Sequence, residues 1–235
     1  MVRLSWQAGG YDRAKSRVYK TEVMADAQRQ KSAVAAGSAV SEDSAQTRRT
    51  VTIRSTLSLI AVSLQRILDA DVIWTIDGAG IVTAAIEVTR NTSIPYLPRF
   101  GVRLLLPAEM DRVTYFGLGP QESGSHADCA FVLAEGGPLS LRADALERNL
   151  SFQFSRYTQE ELTKKAHNFE LRESGYSVLC LDFQQSGIGS NSCGPELDPK
   201  YRLEQAHFTF RFMLTPVERS AAAPEAEAKS RGPLC

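Results

Sequence analysis

Three histidines, four cysteines and one glycine-framed loop are the places in this 235-residue chain where side chains could do chemistry. His126 in GSHADC, His167 in KAHNFEL and His207 in EQAHFTF can titrate near neutral pH, as a general acid or base must. Their settings point to plainer roles: His167 falls at the end of a helical stretch, where positive charge suits the helix dipole, and His207 opens a strand. Cys129, Cys180, Cys193 and Cys235 form no C-x-x-C pair and, with the scattered histidines, no zinc pattern. They read as reduced thiols, with Cys180 in SVLCLDF a small buried hydrophobe. The stretch QQSGIGSNSCGPELDPKYR, Gln184 to Arg202, packs too much turn chemistry for a simple connection between two apolar runs. Gly187, Gly189 and Gly194 suit a tight loop, and Asn191, Ser192 and Cys193 stand at its centre.

The elements that would position these groups read as strands. Val51 to Ile86 is rich in β-branched residues and contains the turn DGAG, Asp77 to Gly80, a hairpin signature. Leu59 to Leu68 has helix-like apolar spacing but lies between β-like runs, and strand is the reading taken. Trp74, in the alternating VIWTI, and Trp6 read as core or interface anchors. Further strands are expected at Val102 to Leu106, Arg112 to Phe116, Cys129 to Leu133, Leu150 to Ser155, Ser177 to Phe183 and Phe208 to Leu214. One helix is expected from Thr158, which can cap the backbone while Glu161 completes a capping box. Many short strands and little helix give an all-β, sheet-on-sheet fold. Residues 1–216 are taken as one domain, with a weakly structured connection from Ala33 to Thr50 and a disordered tail over residues 217–235.

Charge limits the partners. Lys plus Arg and Asp plus Glu stand at 27 each, with no basic stripe interleaved with aromatics, so no nucleic acid is expected. The first residues contain no apolar signal region and no run approaches the ~20 apolar residues of a membrane span, so a cytoplasmic chain with no membrane partner is expected.

Five blocks in order carry a family resemblance: WQAGGYDRA (Trp6 to Ala14), LPRFGVRLLLP (Leu97 to Pro107), VTYFGLGPQES (Val113 to Ser123), FSRYTQEELTKKAHNFEL (Phe154 to Leu171) and GIGSNSCGPEL (Gly187 to Leu197). Together they resemble the C-terminal β domain, also called the small chain or domain five, of bacterial β-galactosidases in glycoside hydrolase family two. The resemblance covers about Leu4 to Pro216. It implies a large β supersandwich of the galactose mutarotase-like type, packed against a catalytic barrel domain or large chain that acts on a galactoside. Retaining glycoside hydrolysis needs two carboxylates about 5 Å apart. In the family both lie on the barrel, so no catalytic residue is assigned to this chain, and none of Glu160, Glu161, Glu170 and Glu196 is taken as a substitute. No cofactor or metal site is assigned either, and a metal of the parent enzyme is not placed.

The resemblance further implies that the loop after Gly187 approaches the substrate, which makes Asn191, Ser192 and Cys193 the substrate-binding candidates. Family members usually present a tryptophan there, and Cys193 offers no ring to stack on a sugar. A second departure follows Gly117. In the family a block like GLGPxE and a block like PQENGSHYDC are separated by a few tens of residues, whereas here GLGP (Gly117 to Pro120) runs straight into QESGSHADC (Gln121 to Cys129). The sequence reads as if a segment had been excised between similar words, leaving strand edges and apolar faces uncovered. Met1 to Leu4 also leads into the first block without the family's acidic linker, as a fragment would. The other class of function open to such a chain is a carbohydrate-binding or scaffold β-sandwich remnant without an enzymatic role. The mutarotase chemistry of the wider superfamily, run by histidines, is the weaker reading.

Overall fold

Asp77 closes the predicted hairpin. Its Oδ1 accepts from the backbone N–H groups of Ala79 (2.9 Å) and Ile81 (3.0 Å), and Gly80 N–H donates to Asp77 O at 3.0 Å. The structure, a computed structural model, describes residues 9–29, 47–61, 65–119, 124–186 and 197–218. The Asp77 turn joins β3 (Arg66–Asp77) to β4 (Val82–Arg90). Before them run β1 (Lys15–Arg29) and β2 (Thr47–Ile60). After them come β5 (Arg99–Pro107), β6 (Arg112–Leu118), β7 (Ser125–Glu135), β8 (Leu139–Ala145), β9 (Leu150–Ser155), the helix α1 (Gln159–Lys164), β10 (Tyr176–Gln185) and β11 (His207–Glu218).

Among the described residues these eleven strands form one sheet, ordered β1-β2-β3-β4-β11-β8-β7-β9-β10-β5, with β6 on the other side of β7. The sheet curls into a half-barrel, as the all-β expectation requires. Strand β7 makes the curl possible by serving both halves: Ser125–Cys129 pairs with β9 and Phe131–Ala134 with β8. Between them lies a bulge. Phe116 faces Phe131 but Leu118 faces Ala127, so Asp128, Cys129 and Ala130 stand opposite Gly117 alone. Asp128 takes φ +54°, tolerable for a short polar side chain, and Asn149 Nδ2 donates to its Oδ1 at 3.0 Å. A Cβ on Gly117 would sit 2.4 Å from Cys129 Sγ, so only glycine lets β6 close on the bulge.

The core follows the period of the strands. Phe208, Phe210, Phe212 and Leu214 alternate along β11 and are all buried, with Phe183 stacked on Phe208 at 4.6 Å. Trp74 packs edge-on to Phe212 at 5.9 Å, on the face that alternation in VIWTI predicts. In β10 every residue from Ser177 to Phe183 is buried, with β9 and β5 flanking it on either side and Gln159 of α1 reaching its Cys180. Arg103 on β5 donates to Glu160 at 2.7 Å, and Gln159 Nε2 donates to Cys180 Sγ at 3.0 Å, which fixes the helix there.

Several expectations need correction. Leu59–Leu68 is not one strand: β2 stops at Ile60, Ala61 N–H donates to Gln65 O at 2.9 Å, and β3 starts at Arg66. The connection expected over Ala33 to Thr50 gives way to β2 from Thr47, and β1 and β8 were not anticipated. β11 passes the expected domain end at residue 216 and reaches Glu218. Pro216 is tolerated because it faces Leu141 of β8 beyond the point, Leu214, where β4 pairing ends. Thr158 caps α1, its Oγ accepting from Glu161 N–H at 3.3 Å, but the Glu161 carboxylate accepts from Arg172 N–H at 3.0 Å and does not close the box. His167 lies beyond the helix, stacked on Phe169 at 5.3 Å. Trp6 lies outside the described residues.

Candidate functional site

The loop expected to approach a substrate leaves β10 after Ser186 and returns at Leu197, and both roots are buried. Asn191, Ser192 and Cys193 themselves lie outside the described residues, as does Glu196. Ser186 holds the outgoing root: its N–H donates to Pro98 O (2.8 Å), its Oγ donates to Leu97 O (2.7 Å) and accepts from Leu203 N–H (2.9 Å). Leu97 and Leu203 bridge one another, and Arg202 Nε donates to Leu197 O at 2.7 Å, which holds the returning root. Behind them Arg90, at the end of β4 and only 8% exposed, donates to the carbonyls of Asn91 (3.1 Å), Ile94 (3.0 Å), Pro95 (3.3 Å) and Glu204 (2.9 Å). Tyr11 adds its hydroxyl to Pro95 O, and burial pushes that hydroxyl up to about 12 against the pull of Arg90. One buried guanidinium thus ties the β4–β5 connection to the segment that leads into β11.

Beside these roots sits an ion pair between a buried carboxylate and a half-buried guanidinium. Asp182 on β10 accepts from both Nε (3.2 Å) and a terminal nitrogen of Arg99 on β5, and from Gln185 Nε2 at 2.7 Å. Burial pushes the Asp182 carboxyl above its ordinary range, while Arg99 and Gln185 draw it back. The pair rests on a bulge: Asp182 faces Gly101 while Gln184 faces Phe100, so Phe183 is the extra residue. A Cβ at Gly101 would come 2.1 Å from Leu181 O, so this approach of β5 to β10 needs glycine. From Arg99 and Asp182 a cleft of about 540 Å³ opens between β5 and the inner face of β2–β4, walled by Leu57, Val72, Trp74 and Phe100. Its size and its apolar walls with a few convergent polar groups suit a small ligand or an inserted side chain.

The other singled-out residues are dispersed. His126 stacks on Phe152 at 4.4 Å and meets Tyr115 edge-on at 4.5 Å, and burial lowers its pKa. His207 Nδ1 lies 3.1 Å from Thr89 Oγ1 at the start of β11, so the three histidines stand on separate elements. Glu160 pairs with Arg103, which holds its carboxyl below the usual range, and Glu170 accepts from the N–H groups of Ala166 (3.2 Å) and His167 (3.4 Å). Cys129 and Cys180 are free, buried thiols, and burial raises Cys129 to about 11. Among the described residues no group of three or more His, Cys, Asp and Glu could hold a metal, and no helix is long and apolar enough to cross a membrane. Reading the sequence missed Arg90, Ser186 and the Arg99–Asp182 pair. The one available signal was Asp182 itself, an acid inside the apolar run SVLCLDF that calls for a cation.

Relatives bear on all of this. The family model described as β-galactosidase small chain matches residues 3–123 and 120–214, two stretches that share Pro120–Ser123. A β-galactosidase of Actinobacillus pleuropneumoniae is 36% identical over 244 aligned positions that take in 91% of this chain and 22% of that enzyme. One of Staphylococcus xylosus is 30% identical over 188 positions, with 67% and 19% covered. One of Arthrobacter sp. (strain B7) is 35% identical over 141 positions, with 45% and 14% covered. The chain therefore spans about a fifth or less of these enzymes. The first alignment is also longer than the residues this chain puts into it: 91% of 235 is about 214, which leaves about thirty of the 244 positions without a residue here. By this match to nearly its whole described length, the chain belongs to the β-galactosidase small-chain family.

Proposed function

We propose that this chain is the non-catalytic small-chain domain of a β-galactosidase, which packs on the catalytic barrel and completes the site where terminal β-D-galactosyl residues are hydrolysed. The supporting observation is one of proportion: a relative aligned over 91% of this chain is a β-galactosidase about five times its length. The carboxylates among the described residues fit a supporting role. Glu160, Glu161 and Glu170 are engaged by Arg103 and by backbone N–H groups, and Asp71 and Glu87 face one another on an exposed stretch of β3 and β4. In this reading the loop from residue 187 to 196 leans over the galactoside with Asn191, Ser192 and Cys193, and the clamps of Ser186, Arg90 and Arg202 set where it starts and ends. The chain works in the cytoplasm, where its thiols stay reduced, and brings no cofactor of its own.

A second reading, a carbohydrate-binding or scaffold remnant, draws on the cleft beside Arg99 and Asp182, where Trp74 and Phe100 offer rings. Size-exclusion chromatography separates the two. Mixed with a β-galactosidase chain lacking its small-chain region, this chain is expected to co-elute in a stoichiometric complex. Separate elution, together with saturable heat on titration of galactose into this chain alone, would favour the second reading.

A further inference from the structure

Arg90 is a buried charge held by neutral groups. All four acceptors of its guanidinium are backbone carbonyls: those of Asn91, Ile94 and Pro95 in the β4–β5 connection, and that of Glu204 in the segment that leads into β11. Its Nε is also buried and has no hydrogen-bond partner among the described residues. A guanidinium in this setting costs stability compared with an apolar side chain of similar volume, so packing alone does not account for it. What it supplies is geometry. Its planar fork ties its own end of β4 and the connection that follows to a carbonyl 114 residues further along the chain. Around it the same two stretches meet again: Arg90 N–H donates to Ala206 O at 2.7 Å and Leu97 N–H to Leu203 O at 3.1 Å, with Leu203 fully buried.

Taking the chain as the small-chain domain that completes a β-galactosidase site, we propose that Arg90 is a positioning residue for galactoside binding. It fixes Leu197–Glu204, the returning root of the glycine-framed loop, against the β4–β5 connection, and through that root sets the affinity of the shared site for its substrate. A root displaced by a fraction of an ångström leaves the chain folded and docked but weakens every contact that depends on its placement. Contacts to the sugar made both before and during the reaction weaken together, so the loss falls on KM. Lysine cannot take this role. Its donors radiate from a single nitrogen, whereas Arg90 reaches Glu204 O from one terminal nitrogen and the β4–β5 carbonyls from the other.

Galactoside hydrolysis by a β-galactosidase chain lacking its small-chain region, mixed with this chain or its variants, tests the role. Co-elution and circular dichroism confirm that each variant docks and is folded. Arg90→Lys is expected to raise KM about tenfold with kcat within about twofold of the unsubstituted chain's. Ser186→Ala removes the hydroxyl that ties Leu97 to Leu203, is expected to raise KM about threefold, and decides the matter if Arg90→Lys does not fold. Val132→Ala, at a fully buried position of β7 outside the roots, lowers stability and is expected to leave KM unchanged. Unchanged KM in Arg90→Lys and Ser186→Ala, a loss confined to kcat, or an equal rise of KM in Val132→Ala would overturn the positioning role and leave the small-chain reading standing. No hydrolysis with the unsubstituted chain would overturn that reading and the positioning role with it.

Discussion

β10 and β1 are both long strands of one sheet, yet one is buried from Ser177 to Phe183 and the other is exposed from Lys15 to Asp26. Neighbours account for the difference. β10 has strands on both sides and is buried over its length, so it needs SVLCLDF, apolar at nearly every position, and its one acid needs Arg99. β1 has one neighbour, and KSRVYKTEVMADAQR answers with charge. The buried strand is also the one whose end carries the candidate loop. Positions that must be held are therefore rooted where the sheet is least able to move, and the surface free to vary lies at its border.

Substitutions can break that contrast. Leu181→Ala on β10, at a residue with no exposure, is expected to cost about 2–5 kcal/mol in urea unfolding. Asp182→Ala removes the anion from a pair whose arginine is only one-third exposed, and about 3 kcal/mol is expected from the same measurement. Gly101→Ala forces a methyl into Leu181 O and Asp182, with a loss of about 1–3 kcal/mol. Val23→Thr on β1, at a residue 65% exposed, is expected to stay within about 0.5 kcal/mol, and a loss as large as that at Leu181 would erase the contrast.

A pH series sharpens it at the loop roots. Because folding raises the Tyr11 hydroxyl from 10.0 to about 12, the folded state holds this proton more tightly than the unfolded chain. The linked stability is complete below pH 10.0 and is lost as pH rises through about 12. Urea midpoints followed across that window are expected to fall less in Tyr11→Phe than in the parent chain.

Legibility in the sequence divides along the same line. Strands that bury a face announce themselves, as FTFRFML in β11, SVLCLDF in β10 and the DGAG turn do. β1 and β8 did not, because a border or short strand held mainly by lateral backbone bonds needs no apolar stripe. The candidate loop was recognisable from its glycines and from family likeness, but its clamps were not. Ser186 bonds to Leu97, 89 residues away, and Arg90 to Glu204, 114 away, and no local pattern encodes such pairings.

Hydrolysis of a chromogenic galactoside tests the central claim most directly, using a β-galactosidase chain that lacks its small-chain region, with and without this chain. Activity that appears only when both are present, and saturates at equal amounts of the two, is the predicted result. Hydrolysis by this chain alone, or no activity from the mixture while circular dichroism shows the chain folded, would contradict it.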